Sequence, residues 1–579
     1  MNRGFLILIL LAISNSIFSQ SYRITWGDEI KLKKGTTDLD IISADNTGLY
    51  FTETKLKTTL DFGFGNFSRN EQKLYKFDKT YNQVFDKEYK KELKGLDYHS
   101  FQTLENEIFM FATDYFRKEK LFKSYGSKVD KNSGNLLGDF IELGSYALES
   151  KRDDYEMKMK PVRNGRNFLM VANISGKDRV SLGISLLDKT LKIKENTIIN
   201  LLLNTNEFSL QDVQYTADNK IVILGKEFEE TQVGKKKRKR FVFKQYVMMI
   251  YNNKGEKEKD IELNTGDRFV ISGQLIEQAD GGMLLAGFYS NTSKKDDLSG
   301  FFINKVDPLK GELTLSSFKE INSSMLGKNY EEDVADDDDE TKEDKTRSKK
   351  AKDNDDEDDF PNEFVIRAVD INPTDNSIII TSEISQYRHY SYTTTSYNSV
   401  SRTYQTTTEH VHTFTNQDIL IINADATGKI KWLNAIPKSQ EETIRTSSQG
   451  YGSGFLYGYD YGSFFAKGGG MPFYSSFASL VNNNKLVIIM NDHTSNNVNA
   501  KYGDKVKRVY NFKKKSNTYG ITIDLTTGNL SRKFIFSNNT DAILMPRHGY
   551  VVGNELIVPS WRMHALAKTE LKFAKIVVK

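Results

Sequence analysis

A tight Asn/Asp/Gly turn followed at once by a short, almost wholly apolar strand occurs eight times in this chain. Asp45-Asn46-Thr47-Gly48 precedes LYFTE, Glu105-Asn106-Glu107 precedes IFMFAT, and Asn164-Gly165-Arg166-Asn167 precedes FLMVAN. Asp218-Asn219-Lys220 introduces IVILG, Asp280-Gly281-Gly282 introduces MLLAG, and Asp375-Asn376-Ser377 introduces IIITS. Asn483-Asn484-Lys485 precedes LVIIM and Gly553-Asn554-Glu555 precedes LIVPSW. Tight hairpins need positive φ, which Gly, Asn and Asp tolerate best. Strands apolar at nearly every position are buried on both faces. A second signature follows the first seven copies: a strand ends in Asp or Asn and turns, as at Asp78-Lys79-Thr80, Asp188-Lys189-Thr190 and Asp524-Leu525-Thr526-Thr527-Gly528. Two turns per unit imply four antiparallel strands, A to D, joined by short A–B and C–D turns.

A four-stranded sheet that is apolar on both faces is satisfied only by packing on sheets like itself, and radial repetition does this. The expected fold is therefore all-β, an eight-bladed β-propeller of four-stranded antiparallel blades. The eighth unit lacks the second turn, and only one more strand, Leu571 to Val578, fits before the chain stops. The missing strand is expected from the other end. Ile24, Trp26 and Ile30 repeat the spacing of Ile430, Trp432 and Ile436, a D strand, so Tyr22 to Leu32 is expected to close blade eight beside the C-terminal strand. Closure removes an exposed sheet edge.

Strand polarity sorts the loops. A–B and C–D turns share one pole; B–C and D–A connections share the other. The long insertions all fall in the second class, at residues 53–72, 227–240, 323–362, 383–416, 440–474 and 492–515. Loops on a rigid scaffold commonly carry function, so this pole is expected to be the working one. Glu331 to Asp359 holds 16 acidic and 6 basic residues and reads as a disordered, solvated insertion without the spaced ligands of an EF-hand. Lys235, Lys236, Lys237 and Arg238 open a basic run able to meet an anionic surface or to neutralise the acidic insertion. The segment 451–474 alternates glycine with aromatic residues; Tyr457, Tyr459, Tyr461 and Phe464 are candidate stacking groups for sugar or peptide. Trp561, Arg562 and His564 are placed at the last B–C loop as further candidates, with core packing the alternative for Trp561. Residues 383–416 read as a long hairpin. Symmetry about Val400 sets His389 opposite His410 and Tyr387 opposite His412, and the three imidazoles His389, His410 and His412 make a candidate zinc set, against exposed ladder residues.

Composition bounds the function. The 579 residues carry 81 basic and 77 acidic side chains, a formal charge of +4 that argues against a dedicated nucleic-acid binder. There is no cysteine, which excludes disulfides, thiol nucleophiles, thiolate metal sites and a lipid anchor on cysteine. Arg3 followed by FLILILLAI and a small polar stretch reads as a secretory signal peptide over residues 1–19, leaving residues 20–579 as a single exported propeller domain. No later segment is long and apolar enough for a membrane helix. The expected location is periplasmic or extracellular, and the sequence specifies no cofactor.

Asp524-Leu525-Thr526-Thr527-Gly528, and Asp425-Ala426-Thr427-Gly428 followed by Trp432, resemble the repeat of the quinoprotein-like eight-bladed propeller superfamily, in which a D-x-x-T-G turn leads to a docking tryptophan. The full turn at Asp524 lacks the tryptophan, and the turn before Trp432 is one residue short. The resemblance implies the same eight-bladed ring. Quinone-dependent members also use vicinal cysteines, which this chain lacks, so it points to the non-enzymatic branch, including envelope scaffolds. The expected function is a non-catalytic propeller that engages a protein or glycan at the cell envelope through the long-loop face. The alternative is a polysaccharide hydrolase or lyase with a carboxylate/His site at the mouth of the central channel.

Overall fold

The computed structural model describes residues 22–578 apart from 33–35, 60–66, 152, 163–164, 234–237, 262, 264–267, 279–281, 293–297, 322–356, 360–362, 399–402, 449–471, 498, 500–503, 540–541 and 563–568. The acidic insertion up to residue 356 and residues 1–19, expected as a leader, therefore lie outside the described residues. The strands form eight antiparallel sheets arranged as a ring of eight blades. Blade one is built from Thr36–Asp45, Gly48–Thr59, Phe67–Phe77 and Gln83–Glu88, and blades two to seven repeat that A-B-C-D order along the chain.

The B and C strands are buried along most of their length, as in Met283–Ser290, where all eight residues are buried. The D strands are less buried than the B and C strands, as in Lys257–Ile261, where four of five residues are exposed. A strands of neighbouring blades approach one another, so the A strands are innermost and the D strands form the rim. Each interface between neighbouring blades holds an apolar cluster. Phe109 and Phe111 of blade two meet Phe168 of blade three edge to face at 5.1 and 5.4 Å. Leu284, Phe288 and Ile303 of blade five meet Ile378, Ile380 and Leu420 of blade six. Each such side chain contributes about 1.5–3 kcal/mol on burial, which lets a chain without disulfides hold itself together.

The turn chemistry has the expected cause. Asn106, Asn219, Asn376, Asn483 and Asn484 all adopt positive φ at A–B turns. At Gly48, φ is +138°, and a Cβ there would stand 2.0 Å from the Phe77 carbonyl oxygen, so only glycine fits. At C–D turns the Asp or Asn side chain accepts from the backbone two to four residues on. Asp78 bonds the N–H groups of Thr80 and Asn82, Asp425 those of Thr427 and Lys429, and Asn252 those of Lys254 and Glu256. The C–D connection of blade two, residues 130–140, is longer than the other short-pole turns.

The ring closes as the terminal pattern implies. Tyr22–Trp26 pairs antiparallel with the C-terminal strand Thr569–Val578, with Trp26 opposite Ala574, and Ile30–Leu32 continues along the same strand. The order across blade eight is Tyr550–Val552, Glu555–Arg562, Thr569–Val578, Tyr22–Trp26. Trp26 meets Phe536 of blade seven edge to face at 5.4 Å.

The two half-signatures at blades six and seven meet in space. Trp432, on the D strand of blade six, donates its indole N–H to the Leu525 carbonyl at 3.2 Å and lies over Gly528 of the blade-seven turn. Asn434 adds a bond to the Gly528 carbonyl at 3.0 Å. The tryptophan thus locks the neighbouring blade's turn. Trp432→Ala is expected to cost about 2 kcal/mol through lost ring burial and the loss of one of the two bonds to the Leu525 carbonyl, which keeps the Asn423 amide at 2.8 Å, read from the denaturant midpoint; an unchanged midpoint rules out the lock.

Candidate interaction face

Blade six is built unlike the others. Its B and C strands run from Ile378 to Asn398 and from Thr403 to Ala424, well past the ring. Beyond a bulge between Glu383 and Ser385 the pairing is unbroken from Ser385 to Asn398. At ~3.3 Å per residue that stretch is roughly 45 Å long. Its sequence is rich in Thr, Ser and Tyr, residues that fit a strand without requiring a dry core, and Thr393, Thr394 and Thr395 stand opposite Thr408, Thr407 and Thr406. Two segments widen this arm. Glu357–Asp359, the end of the acidic insertion, pairs with Arg388–Tyr390. Gln440–Ser448, expected as the start of a loop, pairs with Thr408–Asn416.

The observed register differs from the expected His389–His410 pairing by two residues. His389 stands opposite His412, and His410 opposite Ser391. A two-residue slip keeps every side chain on its face, so the periodicity holds while the pairing changes. The rings of His389 and His412 stack at 4.6 Å and 9°, and the Tyr387 hydroxyl hydrogen-bonds His412 Nδ1 at 2.9 Å. Among the described residues no three His, Asp or Glu side chains form a metal-ligand group.

The root of the arm is fixed by a buried polar collar. Glu383, at the bulge where the blade-six B strand passes from the ring into the arm, is fully buried. It receives Arg367 Nε at 2.5 Å, Lys438 Nζ at 2.5 Å and the Ser476 hydroxyl at 2.5 Å. Burial opposes its ionisation, but the two facing cations outweigh it and hold the carboxyl down to about 2. Lys438 also donates to Gln440 Oε1 at 3.1 Å, which accepts the Ser476 N–H at 2.7 Å. Glu442 accepts the backbone N–H groups of Phe473, Tyr474 and Ser475 at 2.8, 2.8 and 2.9 Å. Burial pushes this carboxyl up while the three donors pull it back. Asn491 of blade seven donates to the carbonyls of Tyr474 and Leu544, both at 2.9 Å. The C-terminal end of the glycine- and aromatic-rich segment is thereby tied to blades six and seven.

An apolar layer backs the collar. Tyr387 and Phe414 of the arm, Phe473, Trp561 of blade eight and Phe51 of blade one belong to one continuous cluster. Trp561 is 2% exposed and meets Phe473 edge to face at 4.3 Å. It is a packing residue of the root, the alternative reading for this position. Tyr457, Tyr459, Tyr461, Phe464, His564, Lys235, Lys236 and Lys237 lie outside the described residues. Arg238 and Arg562 are placed by their backbones alone, opposite Val233 and Glu570.

Sequence reasoning missed Glu383, Lys438, Gln440, Glu442 and Asn491. One local signal existed: an acid or amide closes the apolar B strand in LYFTE, IIITSE and LVIIMN, where only a small polar residue is expected. Glu53, the blade-one counterpart, is also fully buried and accepts the Tyr75 hydroxyl at 2.6 Å. Chemically the collar holds rather than reacts. A carboxylate kept ionised by two cations is a poor proton donor near neutral pH, and the oxygens of Glu442 are occupied by backbone donors. A second buried pair, Lys160 and Asp212, joins the inner strands of blades three and four at 3.5 Å. Burial pulls Lys160 down to about 8 and pushes Asp212 up to about 6. Lys160 stands one residue from the short-turn end of its strand, away from the arm.

Glu442→Gln offers only one accepting oxygen to three donors. It is expected to cost about 1–3 kcal/mol and to speed amide exchange at Phe473 to Ser475; unchanged exchange there removes Glu442 as the anchor.

No family model matches the chain, and no curated protein matches it. Among solved structures, polysaccharide lyase Uly1 is similar with a TM-score of 0.37 and 9% identity, over 96% of this chain and 99% of that one. The β-propeller domain of the Trilobed protease from Pyrococcus furiosus gives 0.29 and 9%, over 69% and 93%. The Penicillium chrysogenum alpha-L-arabinanase gives 0.28 and 7%, over 60% and 94%. None of these likenesses assigns a function to this chain; the eight-bladed ring rests on the strand pairing itself.

Proposed function

We propose that this protein is an exported, non-catalytic binding or scaffold propeller that engages a protein or glycan partner at the cell envelope through its long-loop pole, with the blade-six arm as the principal contact. The observation that supports this most is the arm: a sheet roughly 45 Å long on a buried, charge-locked root. A rigid root keeps an extended element in one orientation, which lowers the ordering cost of binding. The leader-like residues 1–19 support export, and no described helix is long and apolar enough to cross a membrane. The glycine- and aromatic-rich residues 451–474 add contact chemistry at the same pole.

The test is affinity capture from the native envelope with three proteins: the full chain, a variant in which residues 391–410 are replaced by a two-residue turn, and a short-pole control, Lys189→Ala. A specific partner retained by the first and third and lost with the second is the expected result. Equal retention by all three overturns the assignment. Reducing ends released from polysaccharide by the full chain would favour the hydrolase or lyase alternative.

A further inference from the structure

The long-loop pole of blades two and three is little elaborated: their B–C connections, residues 117–120 and 176–179, are four residues each. There the inner strand of blade three begins, and its second residue, Tyr155, is 38% exposed. Its ring lies 4.8 Å from Tyr115 and 4.7 Å from Phe122, tilted by 36° and 35°. Tyr115 and Phe122 are directly opposed across the B–C ladder of blade two, so both project from the same face of that sheet. One face of Tyr155 therefore covers both rings and the other is turned outward. The seat is rigid. A bulge between Tyr98 and Ser100 sets His99 against blade three, where its Nε2 meets the Met157 carbonyl at 2.5 Å. Burial pulls His99 down to about 4, so a neutral ring holds the strand two residues from Tyr155.

Polar groups surround the outward ring. The Asp97 and Asp114 carboxylates lie near enough to act on the Tyr155 hydroxyl, which burial and then Asp97 push up, so it stays a donor. The Tyr115 hydroxyl is buried with no hydrogen-bond partner among the described residues. An open aromatic face and two flanking carboxylates suit a ligand that is flat and apolar on one side and rich in hydroxyls at its edge. That is the chemistry of a pyranose ring; the Asp97 carboxylate disfavours an anionic sugar or a phosphate, Asp114 being opposed by Lys123 across the ladder.

We infer that Tyr155, backed by Tyr115 and Phe122 and flanked by Asp97 and Asp114, forms a binding platform for a neutral saccharide, separate from the blade-six arm. It rests on the long-loop pole being the binding face, and names one ligand class for it.

The test is affinity gel electrophoresis of the full chain through laminarin, galactomannan, xyloglucan and pullulan, with alginate as the anionic contrast. Retardation by at least one neutral polysaccharide, and none by alginate, is expected. Tyr155→Ala weakens that retardation at least tenfold, while Tyr155→Phe, which keeps the stacking face, stays within threefold. Should Tyr155→Ala not fold, judged by circular dichroism and elution volume, the double variant Asp97→Asn/Asp114→Asn decides, with a loss of at least threefold expected. No retardation by any neutral polysaccharide, or equal retardation of the full chain and the deciding variant, overturns the platform. The arm-trimmed variant separates the two claims. If it keeps the retardation but its partner capture is unchanged, the arm assignment fails while the platform stands. A protein partner lost in Tyr155→Ala with no polysaccharide retarded overturns the saccharide assignment alone.

Discussion

Removing residues 20–32 lowers the unfolding free energy by about 5 kcal/mol and converts part of the protein to a dimer or larger species. Two partly buried side chains, Tyr22 and Ile24, and the more exposed Trp26, packed on Phe536, leave the blade seven–eight interface, each worth about 1.5 kcal/mol at partial burial. The Tyr22 ring is fitted to Gly520, where a Cβ would stand 2.4 Å from it, and its hydroxyl bonds Thr522 at 2.7 Å. The ladder from Tyr22 to Trp26 and the bond from Gly27 N–H to the Phe573 carbonyl are lost as well. What remains is an open edge along Thr569–Val578, a template for another chain. Denaturant midpoints and sedimentation read the two effects. A midpoint unmoved by the deletion, with a monomeric product, would show that the N-terminal strand is decoration and not closure.

The second large effect lies in the collar. Glu383→Gln leaves Lys438 and Arg367 facing a neutral amide in a site from which water is excluded, and breaking a buried pair in this way costs about 3–5 kcal/mol. The loss depends on pH, and its sign is fixed. The folded carboxyl sits at about 2, below the ordinary unfolded value of about 4.3. Its stabilising contribution is therefore fully present above about 4.3 and disappears as pH falls from there through 2. The gap between wild type and Glu383→Gln should be constant from pH 7 to 5 and close below that window. Adding Lys438→Met to Glu383→Gln should recover part of the loss, because it removes a stranded charge. A gap that persists unchanged at pH 2 would mean that shape, not charge, makes Glu383 important.

Most of the ring was legible because its cause is local. A buried B strand must be apolar on both faces, and the turn before it must accept positive φ; Asn106-Glu107-Ile108 and Asn484-Lys485-Leu486 show both demands in three residues. The arm was legible as a hairpin but not in register. Thr393 to Ser396 offers no bulky residue that distinguishes one pairing from the next, so the two-residue slip was invisible. The collar was illegible because its members, Arg367, Glu383, Lys438, Gln440, Glu442 and Ser476, are polar residues scattered over more than a hundred positions, and each taken alone reads as surface.

By itself, then, the order of residues determined the number of blades, the turns between strands, the pole that receives the insertions and the strand that closes the circle. Each of these follows from period-two burial and from which residues accept a left-handed backbone, properties that act within a few residues. Only the tertiary structure decided that Gln440–Ser448 becomes a strand of the arm, that Trp561 is packing, that Trp432 locks the turn at Gly528, and that Tyr155 turns an open face outward over Tyr115 and Phe122. Those outcomes depend on groups brought together from different blades, where the removal of water sets the strength of a charge pair and the seat of a ring, and no local pattern records it.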